Sequence, residues 1–255
     1  MTDFEKHKGV ALVIGGSGGI GSAVCRLLSS RGSDIAFTYN QNAEKADALY
    51  EEITSQNNEC TYGSPQLTNE MEMHEFVQSL SDQGGVHTLI YAAGPPVPQQ
   101  HLSTIKPPKF AEHLDLEVNA FFTSVASSLP DLRHHSGSIT AVTTAATGKF
   151  PVKDGLSASP KAAIEMLIRG LAKEEGRYGV RANAVGPGML DDGMAAGLIA
   201  SGEYSQSDLD IATANIPLKR YGNSVDIAET VCFLASPRAN YISGQILNVD
   251  GGYTA

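Results

Sequence analysis

Residues 10–21 read Val10-Ala-Leu-Val-Ile14 followed by Gly15-Gly-Ser-Gly-Gly-Ile-Gly21, and this stretch decides the fold. The five apolar residues are typical of a strand that is buried on both faces. The glycines allow a tight turn after the strand, and Ser22–Leu28 has the apolar spacing of a helix. The free amides of a helix N-terminus attract anions, and glycine lets the backbone come close to them. The stretch therefore predicts a turn that binds the pyrophosphate of a dinucleotide.

The composition predicts one enzyme-sized domain that spans residues 1–255. Of the 255 residues, 42% are apolar and 26 are glycine, which suits a single α/β domain with a large core. The net charge of −10 disfavours binding to nucleic acid or to an anionic membrane, and no apolar run reaches transmembrane length. The polar start of the chain lacks the features of a secretory signal, so we expect a cytoplasmic protein. Cys25, Cys60 and Cys232 lack the spacing of metal ligands, so we expect buried free thiols and no metal site.

Strand and helix patterns alternate along the whole chain. The predicted strands are Val10–Ile14, Asp34–Asn40, one near Cys60, Val86–Ala93, Ser138–Thr143, Val180–Val185 and Gln245–Val249. This alternation predicts a single Rossmann-type α/β fold, in which a doubly wound parallel sheet has helices on both faces. Ligands of such sheets bind beyond the carboxyl ends of the strands, so the loops at that edge should line one cleft.

Five motifs, in this order along the chain, resemble those of the short-chain dehydrogenase/reductase family. The glycine turn is similar to the family's Thr-Gly-x3-Gly-x-Gly motif, with Ile14 in place of threonine. Asn119 matches the family's helix asparagine, which holds a water in the proton relay. Lys161 matches the lysine of Tyr-x3-Lys, which binds the nicotinamide ribose. Asn183–Gly188 resembles the turn beneath the nicotinamide, and Val249–Gly252 resembles the C-terminal signature.

The resemblance implies a nicotinamide cofactor, held by residues spread along the predicted cleft. These residues are Gly15, Ser17, Gly19, Ile20, Tyr39, Asn40, Gln66, Leu67, Ala93, Gly94, Lys161, Pro187 and Gly188. An acid at the end of the second strand would grip the adenosine 2′-hydroxyl and repel a 2′-phosphate, but Tyr39, Asn40 and Gln41 stand there instead. This favours NADP(H) over NAD(H). Alternatively, these three are ordinary turn residues, and Lys45 or Ser17 discriminates between the cofactors.

The sequence departs from the family where the chemistry takes place. The resemblance implies a catalytic set of Asn119, Thr144, Ser157 and Lys161, in which Thr144 replaces the family's serine and Ser157 replaces its tyrosine. A phenol titrates near about pH 10 and an adjacent ammonium can lower that value, whereas an alkanol is far too weak an acid for the same route. We therefore expect an altered proton donor.

The segment around Ser157 also has a purely structural interpretation. Pro160 suits the first turn of a helix, and Ser157 or Ser159 could cap that helix, which we predict over Lys161–Glu175. Other polar groups flank the predicted cleft. Asp154 is one and Asp192, which replaces a threonine of the family, is another, although aspartates in loops commonly serve only solubility.

Three functions remain open from the sequence. The first is an NADPH-dependent reductase with an altered proton donor, acting on a small-molecule enone, imine or unusual ketone. The second is non-redox work on the same fold, such as isomerisation, dehydration or cyclisation, and the third is a catalytically silent binding protein. The resemblance further implies a homotetramer or homodimer, formed through the helices predicted at Lys109–Ser128 and Lys161–Glu175 and through the last strand.

Overall fold

The computed structural model of the chain describes residues 2–56, 58–192 and 206–255. Seven strands form one parallel sheet in the order β3-β2-β1-β4-β5-β6-β7. The strands are β1 (Val10–Ile14), β2 (Asp34–Thr38), β3 (Cys60–Gly63), β4 (Val86–Tyr91), β5 (Ser138–Val142), β6 (Arg181–Pro187) and β7 (Ile246–Val249). This order confirms the predicted doubly wound sheet.

Eight α-helices accompany the sheet within the described ranges. They are α1 (Gly19–Ser30), α2 (Ala43–Thr54), α3 (Glu70–Gln78), α4 (Pro107–Leu114), α5 (Ala120–His135), α6 (Gly155–Glu175), α7 (Gln206–Asn215) and α8 (Ser224–Ala235). Helices α1, α2 and α8 pack on one face of the sheet, and α3, α5 and α6 pack on the other. None of the helices in these ranges combines the length and apolarity that crossing a membrane requires.

Strand β1 is apolar throughout because it lies between these two layers. Ala11 and Val13 point into the core beneath α1, α2 and α8. Val10, Leu12 and Ile14 point into the core beneath α3, α5 and α6. Successive side chains of a strand face opposite sides of the sheet, so a strand covered on both sides needs no polar residue.

The position of the cleft follows from the strand order. Strand β1 has β2 on one side and β4 on the other, and the chain winds outward from β1 in both directions. The loops after β1 and β4 therefore separate at the carboxyl edge of the sheet and leave a crevice between them. Ligands of open α/β sheets bind at such a switch point.

Helix α6 begins earlier than the sequence predicts. It starts at Gly155 and is preceded by Asp154 as the N-cap, so the interpretation of Ser157 and Ser159 as N-cap residues is wrong. Both serines lie within the first turns of the helix, and Pro160 lies inside it. The missing amide of a proline weakens a helix locally but does not prevent one from beginning upstream.

The long helix predicted at Lys109–Ser128 is interrupted. The structure has α4, then a π-helical turn at Asp115–Asn119, and then α5. A π-helical turn inserts one extra residue into the helical repeat. Every side chain in this turn therefore faces a different direction from the one that a regular helix would give it.

The three cysteines are free thiols, as expected. Cys25 and Cys232 are buried, whereas Cys60 is only partly buried, so the expectation of burial holds for two of the three. Burial raises the pKa of the Cys60 and Cys232 thiols to about 12. Thiols of such high pKa are unreactive at neutral pH, which suits packing residues.

We expect acid to destabilise the fold through His87, a fully buried residue of β4. Burial lowers the pKa of His87 from 6.5 to about 3, so between these values the unfolded chain binds a proton that the folded chain does not. Stability contributed by the neutral ring is therefore complete above about pH 6.5 and is lost as the pH falls toward 3. The loss should reach about 2–3 kcal/mol by about pH 4.5.

Urea unfolding as a function of pH tests this expectation. His87→Gln removes the titrating ring and should flatten the pH dependence between about pH 6.5 and pH 4.5. His101→Gln, at an exposed histidine, is the matched control and should leave the pH dependence unchanged. Equal slopes for wild type and His87→Gln would contradict the assignment.

Candidate active site

A cavity of about 550 Å³ opens at the switch point of the sheet. Its lining comes from the glycine turn and from the loops that follow β2, β4, β5 and β6. Most of the residues predicted from the sequence line it, namely Gly15, Ser17, Gly19, Ile20, Tyr39, Asn40, Ala93, Gly94, Thr144, Ser157, Lys161, Pro187 and Gly188. The structure thus brings eleven of the thirteen predicted cofactor residues and three of the four predicted catalytic residues to one place.

The glycine turn forms a cradle that a larger residue would fill. Gly15 has a φ of +81°, and a Cβ atom there would lie 2.8 Å from the Cα atom of Ala93. Its amide donates to the Thr38 hydroxyl at 3.0 Å, which fixes the turn between β1 and β2. Helix α1 begins directly after this turn at Gly19, so its unpaired N-terminal amides face the cavity. This geometry suits the pyrophosphate of a dinucleotide.

Asp192 offers an acceptor at the other end of the cavity. Its Oδ2 accepts a hydrogen bond from the Ser224 amide at 2.8 Å. Its Oδ1 is buried and has no hydrogen-bond partner among the described residues. An orphaned acceptor of this kind fits the amino group of a nicotinamide carboxamide, so the residues present are compatible with a nicotinamide cofactor.

Two hydroxyl groups face the cavity from β5 and α6. Thr144 follows β5 and caps a short 3₁₀ turn, where its Oγ1 accepts from the Ala146 amide at 3.2 Å. Ser157 lies in the first turn of α6, where its backbone amide donates to the Asp154 carbonyl at 3.1 Å and its hydroxyl lowers the pKa of the Asp154 carboxyl. Neither hydroxyl is a strong acid, and among the described residues that line the cavity the one phenol is that of Tyr39, which follows β2.

Lys161 is paired with the carboxylate of Glu117, a residue that the sequence patterns did not identify as part of the site. Its Nζ lies 2.6 Å from Oε2 of Glu117, and the two side chains are only 11% and 2% exposed. Glu117 comes from the π-helical turn and also lines the cavity. Oε1 of the same carboxylate faces Gly94, where a Cβ atom would approach it to 2.8 Å. The ammonium is therefore neutralised by a nearly buried partner.

Asn119 is not among the described residues that line the cavity, so the structure does not bring it together with Thr144, Ser157 and Lys161. It is exposed, and its amide nitrogen donates to Asp115 Oδ1 at 2.9 Å. The π-helical turn is the reason, because its extra residue turns Asn119 outward and brings Glu117 inward. A motif match fixes the position of a residue in the chain, but the helical register decides the direction of its side chain.

Gln66 and Leu67 are also absent from the cavity lining, in disagreement with their predicted cofactor contacts. Gln66 is exposed, and its backbone amide donates to Glu72 Oε2 at 2.8 Å. Leu67 packs against the core on the α3 side of the sheet. Both follow the edge strand β3, where hydrogen bonding to α3 and apolar packing hold the loop away from the cavity.

Asp154 contributes more to the cavity than a loop aspartate would. It lines the cavity, it is half-buried, and Gln99 Nε2 lies 3.5 Å from its Oδ1. Burial raises the pKa of Asp154, although the hydrogen bonds from Gln99 and Ser157 oppose this shift. The sequence predicted that Asp154 flanks the cleft, and the structure places it in the cavity lining, directly before α6.

Tyr91 cannot take the place of the missing phenol. It is fully buried, and its hydroxyl donates to the backbone carbonyl of Glu117 at 3.2 Å. Burial, together with the nearby Glu117 charge, raises the pKa of Tyr91 well above its ordinary value. In the part of the chain that the structure describes, no group of three or more His, Cys, Asp or Glu side chains is arranged to hold a metal ion.

Comparison with known proteins agrees with the fold and the cavity. Residues 15–254 match the family model described as enoyl-(acyl carrier protein) reductase. Over 244 residues the chain is 31% identical to the 3-oxoacyl-(acyl-carrier-protein) reductase FabG of Staphylococcus epidermidis, covering 95% of this chain and 97% of that protein. It is 32% identical over 255 residues to the short chain dehydrogenase mdpC of Emericella nidulans, covering 95% and 94%.

A solved structure extends the comparison to three dimensions. A blue fluorescent protein from a metagenomic library, in complex with NADPH, superposes with a TM-score of 0.88 at 29% sequence identity. The match covers 98% of this chain and 100% of that one. With its parallel seven-stranded sheet, its glycine turn and these full-length matches, the chain belongs to the short-chain dehydrogenase/reductase superfamily of oxidoreductases.

Proposed function

We propose that this protein is an NADPH-dependent reductase with an altered proton donor, acting on an enone, imine or unusual ketone. One observation carries the proposal. A single cavity runs from the glycine turn, where a dinucleotide phosphate fits, to Ser157 and Lys161. The proposed catalytic residues are Thr144, Ser157 and Lys161, and Glu117 is added to them as the partner of Lys161.

The residues that would hold the cofactor fall into three groups. The glycine turn and the start of α1 receive the pyrophosphate, the loop after β2 receives the adenosine ribose, and Lys161 with Pro187–Gly188 receives the nicotinamide half. Such a cofactor supplies a hydride to the substrate. The protein binds and orients both reactants. The apolar walls of the cavity also exclude water from them.

The residues around Ser157 make the altered proton donor part of the proposal. In the family a phenol stands at this position and gives its proton to the carbonyl oxygen. Here Thr144 and Ser157 can donate hydrogen bonds to a substrate atom. Neither hydroxyl is acidic enough to replace the phenol as the general acid that protonates the carbonyl oxygen at neutral pH. The ammonium of Lys161, 2.6 Å from Glu117, carries its charge inside an ion pair.

The loop after β2 supports NADPH over NADH. Tyr39 and Asn40 line the cavity there, and neither is an acid. We expect calorimetric titration to show NADPH binding at least about tenfold more tightly than NADH, because no carboxylate repels the 2′-phosphate. Tighter binding of NADH, or no heat with either cofactor, would contradict this.

A charge substitution makes the cofactor test sharper. Asn40→Asp places a carboxylate at the end of β2 and should reverse the preference toward NADH. Gln56→Glu is the matched control, since it adds the same charge at an exposed side chain outside the cavity lining and away from the end of β2. Unchanged selectivity in Asn40→Asp would show that another residue reads the 2′-position.

We also propose that the protein forms a homodimer or homotetramer through α5 and α6. An apolar groove runs between the α4–α5 segment and α6, and beside it Phe122 and Met166 are 54% and 63% exposed. Family resemblance makes a second copy of the chain the occupant, and covering these side chains would remove apolar surface from water. Sedimentation of the wild type as a dimer or tetramer at micromolar concentration is expected.

A substitution in the groove checks that interface. Phe122→Glu should shift the protein toward monomer, because a carboxylate would be desolvated in the contact. Met71→Glu, at a methionine that is 68% exposed on α3, is the matched control and should leave the assembly unchanged. A monomeric wild type would overturn the proposal.

The ion pair also favours a second candidate, a non-redox isomerase, dehydratase or cyclase. Such chemistry needs no free ammonium beside a phenol, and the paired Lys161 offers none. Absorbance of NADPH separates the candidates, since a reductase consumes one NADPH for each product formed. Product formation at constant NADPH absorbance would favour the non-redox function.

A further inference from the structure

The charges of the cavity do not balance. Of the described residues that line it, four carry charge: three carboxylates, on Glu117, Asp154 and Asp192, and one ammonium, on Lys161. Lys161 and Glu117 neutralise each other at 2.6 Å. Asp192 accepts from the Ser224 amide and has its remaining oxygen placed for the nicotinamide carboxamide. Asp154 and Asp192 are therefore the two carboxylates left without a cation, and because Asp192 is taken up by the Ser224 amide and the carboxamide, Asp154 is the one that faces the substrate.

Among the described residues, no charged donor pairs with the Asp154 carboxylate. Its carboxylate accepts a long hydrogen bond from the Gln99 side-chain amide at 3.5 Å, and the Ser157 hydroxyl lowers its pKa. None of the ion pairs found within residues 2–56, 58–192 and 206–255 includes Asp154. A half-buried carboxylate without a cation is costly, and burial accordingly raises its pKa. A ligand with a positive charge would remove that cost.

We propose that the substrate is a cation, an iminium ion, whose charged nitrogen is held beside Asp154. This proposal rests on the proposed reductase function and names its substrate class. The rest of the cavity wall suits an apolar body on that nitrogen, since side chains from three loops line it: Pro95, Val97, Val142, Met189 and Leu190. The ligand is thus a positively charged nitrogen on a hydrophobic frame.

The chemistry of an iminium explains why the site manages without a phenol. Addition of a hydride to the iminium carbon sends the π-electron pair of the C=N bond to nitrogen and gives a neutral amine, with no proton required. The nicotinamide cofactor of the proposed function is the reductant and takes up the positive charge. One positive charge is therefore present in the cavity before and after the step, and Asp154 faces it throughout.

A ketone would impose the opposite demand on this site. Hydride addition to a neutral carbonyl creates an oxyanion, which needs nearby donors or a cation for stabilisation. Here the one ammonium lining the described part of the cavity is already paired, and the unbalanced charge is negative. The observed charges thus favour an acceptor that enters as a cation.

The test compares two bicyclic probes of similar size in the NADPH complex. N-methyl-dihydroisoquinolinium carries the charge, and α-tetralone is neutral. Calorimetry or ligand-observed NMR, with 1,4,5,6-tetrahydro-NADPH in place of NADPH because it keeps the ring neutral and cannot donate a hydride, should show the cation binding about tenfold or more tightly than the ketone. Asp154→Asn should remove that preference while leaving α-tetralone affinity within about twofold.

The control is Asp191→Asn, which removes the same charge at an exposed residue near the cavity and should keep the preference. The wild-type comparison stands even if Asp154→Asn fails to fold. Equal affinity for the two probes, absence of cation binding at millimolar concentration, or a preference that survives in folded Asp154→Asn would each overturn the proposal. If any of these three results is obtained while the protein still binds NADPH, the reductase function stands and only the iminium substrate is overturned. If the protein binds neither NADPH nor NADH, the reductase function itself is overturned.

Discussion

Lys161→Met is expected to lower the free energy of unfolding by about 3–5 kcal/mol, because it leaves the Glu117 carboxylate buried without its cation. The side chain of Glu117 is 2% exposed, so water cannot replace the lost ammonium. Urea unfolding at neutral pH without cofactor measures the effect. An unpaired charge in a nearly closed site is among the largest single destabilisations that a substitution can cause.

Two controls separate this effect from a loss of packing. The double variant Lys161→Met/Glu117→Leu removes both charges and should recover most of the lost stability. Lys109→Met breaks the exposed pair of Lys109 with Glu112 and should cost less than about 1 kcal/mol. If the loss of unfolding free energy in the double variant equals the sum of the losses in the two single variants, the ion pair does not couple the two side chains.

Ser157→Tyr is expected to bring no gain on simple ketones, although general-acid catalysis typically contributes roughly 10²–10⁴-fold. The phenol would stand beside an ammonium that Glu117 already neutralises at 2.6 Å, so its pKa would stay too high for proton donation. The larger ring should also fill space that the natural substrate needs. Turnover of that substrate should fall by about tenfold or more, since a misplaced substrate loses much of its rate.

The assay follows NADPH oxidation with cyclohexanone and α-tetralone for wild type and variant. Ser157→Thr is the matched control, because it keeps the hydroxyl and adds one methyl group. A large gain on ketones in Ser157→Tyr without loss of the native turnover would show that the pocket remains that of an ordinary carbonyl reductase. It would also weaken the assignment of an iminium substrate.

The fold could be predicted because its signals are local. A strand that is apolar on both faces, such as Val10–Ile14, must be buried between two layers of helices. The glycines after it allow the tight turn that leads into α1. Thr144, Ser157 and Lys161 lie at one cavity because short loops at the same sheet edge hold them. The spacing of motifs along the chain carries that information directly.

Other features of the site depend on helical register, which the sequence pattern does not reveal. Because of the π-helical turn at Asp115–Asn119, Glu117 lines the cavity and Asn119 does not. The residue types in this turn do not indicate that it is π-helical. Helix α6 begins at Gly155 in spite of Pro160, so Asp154 becomes its N-cap and faces the cavity. A shift of one residue in a helix decides which charge reaches the site.

A crystal structure of the NADPH complex tests the central claim most directly. The account predicts the pyrophosphate at the glycine turn and the nicotinamide ring in the cavity, with Ser157 and Asp154 on the substrate side of the ring and Lys161 still paired with Glu117. The contradictory result would be a cavity that stays empty at saturating NADPH, or a nicotinamide ring that lies away from Ser157 and Asp154.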